Sequence, residues 1–408
     1  MEAILTPPKQ TMPAKTSYRF GSIDLLRGLV MIIMALDHTR DFFHETAFTQ
    51  DPLNLETTTP ALFFTRWITH FCAPVFVFLA GSSAWFQGLR KTKKDLSLFL
   101  IKRGIWLIIV EAAIMSLIFT FDIEYKAITL ATIWAIGISM VILGLAILLP
   151  FPLTLAIGIL IVFGHNALDF YEKNLQTSPG FFYDLMHRVS FYPLDNANPQ
   201  DHTLVILYPF LSWTGLMLLG YCFGKLFTSY DGTQRKKILL WTGFVVIAIF
   251  IIVRALNIYG NPEKWEEQDS FFYTFLSFID THKYPPSLLY MCMTIGPGII
   301  FLAMVNNTDN RLSRLIKVYG RVPFFYYVLH FFVIHLVSTI IFFLKGNSLA
   351  AGIHNELLLP NFVIPGEGFS LGVTYLFWIG IVAALYPVCK WYDRYKSNHR
   401  EKWWLSYL

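Results

Sequence analysis

The chain has 408 residues, of which 55% are hydrophobic and 14% charged, with a formal net charge of +5. An ordinary soluble domain carries about 25% charged residues, so these proportions exclude a water-soluble globule. A basic surplus this small makes no case for nucleic acid. Apolar runs of about 18 or more residues recur from end to end, each able to cross a hydrocarbon core of roughly 30 Å. In chain order the predicted spans are residues 22–44, 61–88, 104–121, 127–149, 152–168, 203–224, 238–258, 286–305, 322–344 and 370–391. The expected fold class is all-α: a polytopic helical membrane protein with about 10 transmembrane helices.

Lys and Arg set the orientation, because short cytoplasmic loops retain them. They gather in the N-terminal tail (Lys9, Lys15, Arg19) and then in alternate connections. The first holds Arg90, Lys91, Lys93, Lys94, Lys102 and Arg103; the next holds Lys225, Arg235, Lys236 and Lys237. Arg311, Arg314, Lys317 and Arg321 follow, and the C-terminal tail adds Lys390, Arg394, Lys396, Arg400 and Lys402. Intervening connections are acidic, with Glu45, Asp51 and Glu56, then Asp169, Glu172, Asp184, Asp195 and Asp201, then Glu263, Glu266, Glu267, Asp269 and Asp280. An even number of spans puts both termini in the cytoplasm. The expected organisation is a cytoplasmic tail over 1–21, a single transmembrane domain over 22–391 and a cytoplasmic interfacial tail over 392–408. The closing Lys402-Trp403-Trp404-Leu405-Ser406-Tyr407-Leu408 suits the headgroup layer.

The first 20 residues lack an apolar signal core, so the first span would itself direct insertion. Cys72, Cys222, Cys292 and Cys389 lie in or beside spans at scattered spacing, with no metal or disulfide pattern. Two long outer connections, about 169–202 and 259–285, are rich in aromatics such as Phe181, Tyr192, Trp265 and Phe272, which predicts packed caps. No internal repeat is visible.

The first span carries the most informative residues. Asp37 and His38 lie well inside an apolar run, with Arg40, Asp41 and His44 following. An Asp or Arg at a helix centre costs roughly 2.5–3.5 kcal/mol on insertion scales, so such residues persist where they do something. At 1.5 Å per residue, residue 38 lies about 21 Å along its helix and His335 about 18 Å up from Pro323, so His335 and Asp37 are expected to share a level. Descending from Pro60, Arg66 and His70 lie about 9 and 15 Å along. His282-Lys283-Tyr284-Pro285-Pro286 opens another span. His and acidic groups from four spans would thus meet in the outer half.

The plainer reading is an ion pair of Asp37 or Asp41 with Arg40 or Arg66, locking two helices. The clustering favours function, with His as the natural general base. Asp24 and Arg27, spaced i, i+3, read first as a structural or headgroup pair, and Glu111 as a partner of another helix or part of a path. His330 reads as an interhelical hydrogen-bond partner, and His165, His187, His202 and His354 as solvated. The positive-inside tendency explains the basic inner loops without a phosphorylated cofactor.

Ser22-Ile23-Asp24-Leu25-Leu26-Arg27-Gly28-Leu29 and Val75-Phe76-Val77-Phe78-Leu79-Ala80-Gly81-Ser82-Ser83 resemble the opening of the heparan-α-glucosaminide N-acetyltransferase catalytic-domain family. Lys283-Tyr284-Pro285-Pro286-Ser287-Leu288-Leu289-Tyr290, Tyr319-Gly320-Arg321-Val322-Pro323 through His330, and Trp403-Trp404-Leu405-Ser406-Tyr407-Leu408 resemble its bacterial branch. The likeness implies transfer of an acetyl group from cytoplasmic acetyl-CoA to an acceptor across the membrane, assisted by a histidine. It places the protein in the bacterial inner membrane, with no metal. One departure stands out: His38 replaces an Asn of the lysosomal branch, whose catalytic His lies farther along the next loop. Only His44 is available in that region, while His70 stands where that branch has an Asp, four residues before Pro74. His38, His44 and His70 therefore remain alternatives for the base.

The leading expectation is an acyltransferase acting on an amino sugar, glycan or other polar acceptor on the periplasmic side. Asp37, His38, His44 and His70 would serve catalysis. Arg40, Asp41, Arg66, His282, Tyr284 and His335 would hold the acceptor, and Asp24, Arg27 and Arg321 the acetyl-CoA. Other partners are membrane lipids and, in a homodimer, a second copy. The rival is a proton-coupled transporter of a polar solute or glycan using the same cluster as a relay, and a third reading is a non-catalytic scaffold.

Overall fold

A computed structural model describes residues 20–195, 202–306, 308–354, 356–399 and 401–407. The N-terminal Lys9, Lys15 and Arg19, with Asp201, Arg400 and Leu408, lie outside the described residues. The elements are α1 (Gly21–Phe43), α2 (Pro60–Thr69), α3 (Cys72–Gly88) and α4 (Lys93–Ile109), which runs through a π-turn at Val110–Met115 into α5 (Ser116–Thr120). Then come β1 (Ala127–Leu130), α6 (Thr132–Ala146), α7 (Phe151–Gly164), α8 (Ala167–Glu172), α9 (Phe181–His187), β2 (Ser190–Pro193) and β3 (Thr203–Ile206). The remainder is α10 (Phe210–Gly224), α11 (Leu226–Ser229), α12 (Gly232–Leu256), α13 (Phe271–Ile279), α14 (Leu288–Met304), α15 (Arg311–Arg321), α16 (Pro323–Leu344) and α17 (Leu371–Asn398).

Among the described residues five helices are long and apolar enough to cross a membrane: Pro60–Gly88, Phe210–Ser229, Gly232–Leu256, Pro323–Leu344 and Leu371–Asn398. Leu160, Trp241, Phe244, Ile252 and Leu376 stand exposed on the flanks, the side-chain chemistry of a surface solvated by lipid.

The all-α expectation needs correction, since a small sheet of order β1-β3-β2 is present. β1 runs parallel to β3, pairing Ala127 with Thr203 and Leu130 with Ile206, while β2 is antiparallel to β3. Two runs expected to be helical from residues 127 and 203 therefore begin as strands. Their β-branched content suits a pleated surface, and Pro209 separates β3 from α10. Pairing β1 with β3 sets the starts of α6 and α10 side by side.

Backbone crossings hold the bundle. At Gly28 a Cβ would collide with the Ile316 carbonyl oxygen, and at Gly320 with that of Asp24, so α1 and α15 touch main chain to main chain. Gly81 and Gly220 do the same for α3 and α10. Within the stretch read from sequence as a loop between the spans ending at 305 and starting at 322, Arg311–Arg321 thus form a helix, α15, that covers the first half of α1. Consequently α16 starts beside the middle of α1, and His330, not His335, comes level with His38, their ring centroids 5.4 Å apart.

The connection from α12 to α14 is a packed cap, organised by Arg254. This fully buried guanidinium donates to the carbonyls of Phe278, Glu263, Ser277 and Asp280 at 2.6–3.0 Å. Trp265 returns a bond from its indole to the Arg254 carbonyl.

Candidate functional site

Pro74 shapes the first part of the site. It has no N–H to give the carbonyl four residues back, which belongs to His70. The helix breaks between α2 and α3, and the Tyr290 hydroxyl donates to the freed His70 carbonyl at 2.8 Å. The break faces Asp37 and His38 on α1. Between them lies a chamber of about 30 Å³, bordered also by Thr132, Tyr208, Lys283 and Tyr327, about the space of one water molecule.

Asp37 is the centre of an ion-pair knot. One carboxylate oxygen accepts from Arg40 at 3.2 Å and the other from Arg66, while Arg40 also reaches Asp41 at 2.6 Å. All three members of the Asp37–Arg40–Arg66 knot are at least four-fifths buried in their side chains. Burial on this scale requires paired charges, so the knot fixes α2 against α1 as well as setting the field of the chamber. Lys283 adds a further cation, with its ammonium 5.0 Å from the Tyr284 ring centroid.

The histidines separate into distinct environments. His38 borders the chamber, its ring 3.9 Å from that of Phe331 and its Nδ1 3.9 Å from Asp41, so Asp41 rather than Asp37 is its nearest carboxylate. His70 is almost fully buried against Tyr290, and neither of its ring nitrogens has a hydrogen-bond partner. His44 caps α1 away from the knot, held by Thr46 at 2.9 Å and bordering a separate cavity of about 40 Å³. His335 points elsewhere: its two nitrogens face the carbonyls of Ile118 and Asn361 at 2.8 Å, and its ring stacks on Phe121. His330 Nδ1 donates along its own helix to the Tyr326 carbonyl at 2.9 Å, and its Nε2 is left without a partner. His282 sits in the cap with its Nδ1 3.4 Å from Glu263. Burial pulls its pKa down, but Glu263 and the Tyr284 carbonyl outweigh burial and hold it above the ordinary 6.5.

Glu111 has a structural assignment. From the π-turn its carboxylate accepts the backbone N–H groups of Ala131 and Ile133 at 3.2 and 3.0 Å. It thereby satisfies the orphan donors at the start of α6 and holds Thr132 at the chamber wall.

A larger cavity of about 310 Å³ opens beside the starts of α1 and α4. Asp24, Arg27, Arg103, Arg321 and Lys396 surround its mouth, and Phe76 and Ile133 border its inner end. Phe76 and Ile133 border the small chamber too, so two side chains separate the cavities. Arg27 bonds Ser83 at 2.8 Å and the Gly320 carbonyl at 3.2 Å, and Arg321 lies 4.0 Å from Asp24 and 3.3 Å from Asp393. The Nε atoms of Arg103 and Arg321 are buried without a hydrogen bond, which suits an anionic guest. Among the described residues no group of three or more His, Cys, Asp or Glu side chains could hold a metal.

Sequence reasoning placed Lys283 and Tyr327 only within motifs and passed over Thr132 and Tyr208. Their signal was a position near a helix start: Thr132 opens α6, Tyr208 and Lys283 precede α10 and α14, and Tyr327 lies in the second turn of α16.

The fold and the buried charges define a multi-pass membrane protein built around an intramembrane polar site. Residues 19–260 match the family model described as heparan-alpha-glucosaminide N-acetyltransferase, catalytic, and the chain belongs to that family of membrane acetyltransferases. No curated protein matches the chain.

Proposed function

We propose that this protein carries an acetyl or other acyl group from cytoplasmic acyl-CoA to an amino sugar, glycan or other polar acceptor on the periplasmic side of a bacterial inner membrane. About ten spans, with both termini in the cytoplasm, would orient the basic cavity mouth towards the donor. The observation that carries the reading is the succession of cavities, which meet at Phe76 and Ile133 and run from the arginine-lined mouth to His38 and Lys283. Arg27, Arg103 and Arg321 would hold the donor's phosphates. At the far end His38, steered by Asp41, would accept the proton of an attacking amine or hydroxyl. A new C–N or C–O bond then forms as the thioester C–S bond breaks, and the proton leaves with the thiol. Lys283 and Tyr327 would donate to the carbonyl oxygen as its charge develops.

The test incubates purified protein with labelled acetyl-CoA and a panel of amino sugars. Label transfer by the wild type, falling about 10²-fold or more in His38→Ala but not in His44→Ala, is the expected result. Absence of transfer by the wild type, with solute-driven proton uptake in CoA-free proteoliposomes, would overturn it in favour of a transporter.

A further inference from the structure

Helices α7 and α10 pack closely, Gly158 against Leu219 and Gly215 against Ile161; α12 and α14 do likewise at Gly243 and Gly296. Each pair is locked internally, yet between the pairs lies an open groove of about 450 Å³. Leu155, Leu219, Phe223, Val246 and Ile295 form its apolar wall, and Lys225, Ser229 and Tyr230 lie at one end. From Phe151 to Phe163 the groove follows α7 for about 18 Å at 1.5 Å per residue, close to one leaflet of a roughly 30 Å core.

A second cavity of about 280 Å³ continues from the polar end, sharing Phe151 and Lys225 and adding Lys91 and Lys93. The Lys225 ammonium stands 4.4 Å from the Phe151 ring centroid, where the two cavities join. Among the described residues, none of these three lysines has a carboxylate within ion-pair distance. Three uncompensated cations therefore crown a slot as long as a leaflet is thick.

We propose that this groove binds an anionic phospholipid, with one acyl chain along α7 and the phosphate headgroup on Lys91, Lys93 and Lys225. Charge complementarity argues for this occupant. The flank is lipid-exposed, with Phe244 and Val245 of α12 facing outward, and a phospholipid joins a long apolar chain to a single anionic end. A cation of this kind is worth about fivefold in affinity near an anionic headgroup. The inference stands apart from the transfer reaction.

The test uses the full chain in neutral detergent. Native mass spectrometry and thermal unfolding follow titration with phosphatidylglycerol, phosphatidylcholine or inorganic phosphate. The expected result is one tightly held phosphatidylglycerol, preferred at least tenfold over phosphatidylcholine. That preference should fall below twofold in the triple variant Lys91→Gln/Lys93→Gln/Lys225→Gln. Filling the slot with Leu155→Trp should remove the bound lipid while the acetyl-transfer rate remains as a check on folding. Equal binding of the two lipids, a preference that survives the triple variant, or stabilisation by phosphate alone would each overturn the proposal. So would a lipid-free dimer that buries Lys225.

Discussion

Replacing Asp37 with Asn tests whether the knot on α1 is chiefly structural. The carboxylate side chain is 9% exposed, and its partners Arg40 and Arg66 are 8% and 14% exposed. Removing one member of a buried pair leaves an uncompensated charge and costs about 3–5 kcal/mol. Arg40 keeps Asp41 at 2.6 Å, so the loss falls mainly on Arg66, which has no other carboxylate within ion-pair distance among the described residues. The double variant Asp37→Asn/Arg66→Gln removes both charges and should recover most of the loss. Unfolding of the detergent-solubilised protein, followed by tryptophan fluorescence, measures the stability, with acetyl transfer assayed in parallel. If Asp37→Asn stays within about 1 kcal/mol of the wild type, the size of an average point mutation, the reasoning fails. Loss of transfer with stability intact would instead place Asp37 in the chemistry.

Three further outcomes follow from the same physics. Tyr290→Phe leaves the His70 carbonyl buried and unsatisfied, and should lower unfolding stability by about 1–3 kcal/mol; an unchanged value would mean that another donor serves Pro74's vacated acceptor. Arg254→Met strips four carbonyls of their donor, so limited proteolysis should cut the α12–α14 connection faster while other connections keep their wild-type rates. The same connection should respond to pH. His282 is held above its ordinary 6.5, so its contribution is complete below 6.5 and is lost as pH rises through the raised value. Asp280, pushed up to about 6 by burial and Glu263, acts in the same direction at lower pH, since the folded state keeps its proton longer. Hydrogen exchange corrected for intrinsic rate should therefore show more protection at pH 6 than at pH 8. Glu263→Gln should shrink that difference.

Much of the architecture was legible because the bilayer demands so much of a sequence. Long apolar runs must be helical to satisfy their backbone, and the long apolar helices α1, α3, α10, α12, α14, α16 and α17 fall on predicted runs. The strands at Ala127–Leu130 and Thr203–Ile206 escaped because four residues, three of them apolar, joined to a helix read as more helix, and their pairing partners are distant in sequence. Helix α15 escaped for another reason. Its charges resemble a cytoplasmic loop, and only the close approach of Gly28 and Gly320 shows that it lies along α1.

That same approach governs which histidine comes level with His38. Counting 1.5 Å per residue from each predicted helix start assumes that α1 and α16 begin at one level. With α15 occupying the lower half of the α1 surface, α16 begins about ten residues higher, roughly 15 Å along the axis. His330 then takes the place expected for His335, and His335 rises to bond the Asn361 carbonyl. The α1 face, by contrast, needed no such count: Asp37, Arg40 and Asp41 are neighbours by helical spacing alone, and their contacts fall within that spacing. Local geometry was thus readable, whereas the meeting of separate helices depended on a backbone crossing. The assignment of the base inherits this distinction. Arg40 and Arg66 occupy both oxygens of Asp37, while Asp41 is the carboxylate nearest His38, so in the proposed reaction a carboxylate one turn along would take the role that adjacency in sequence suggested for Asp37.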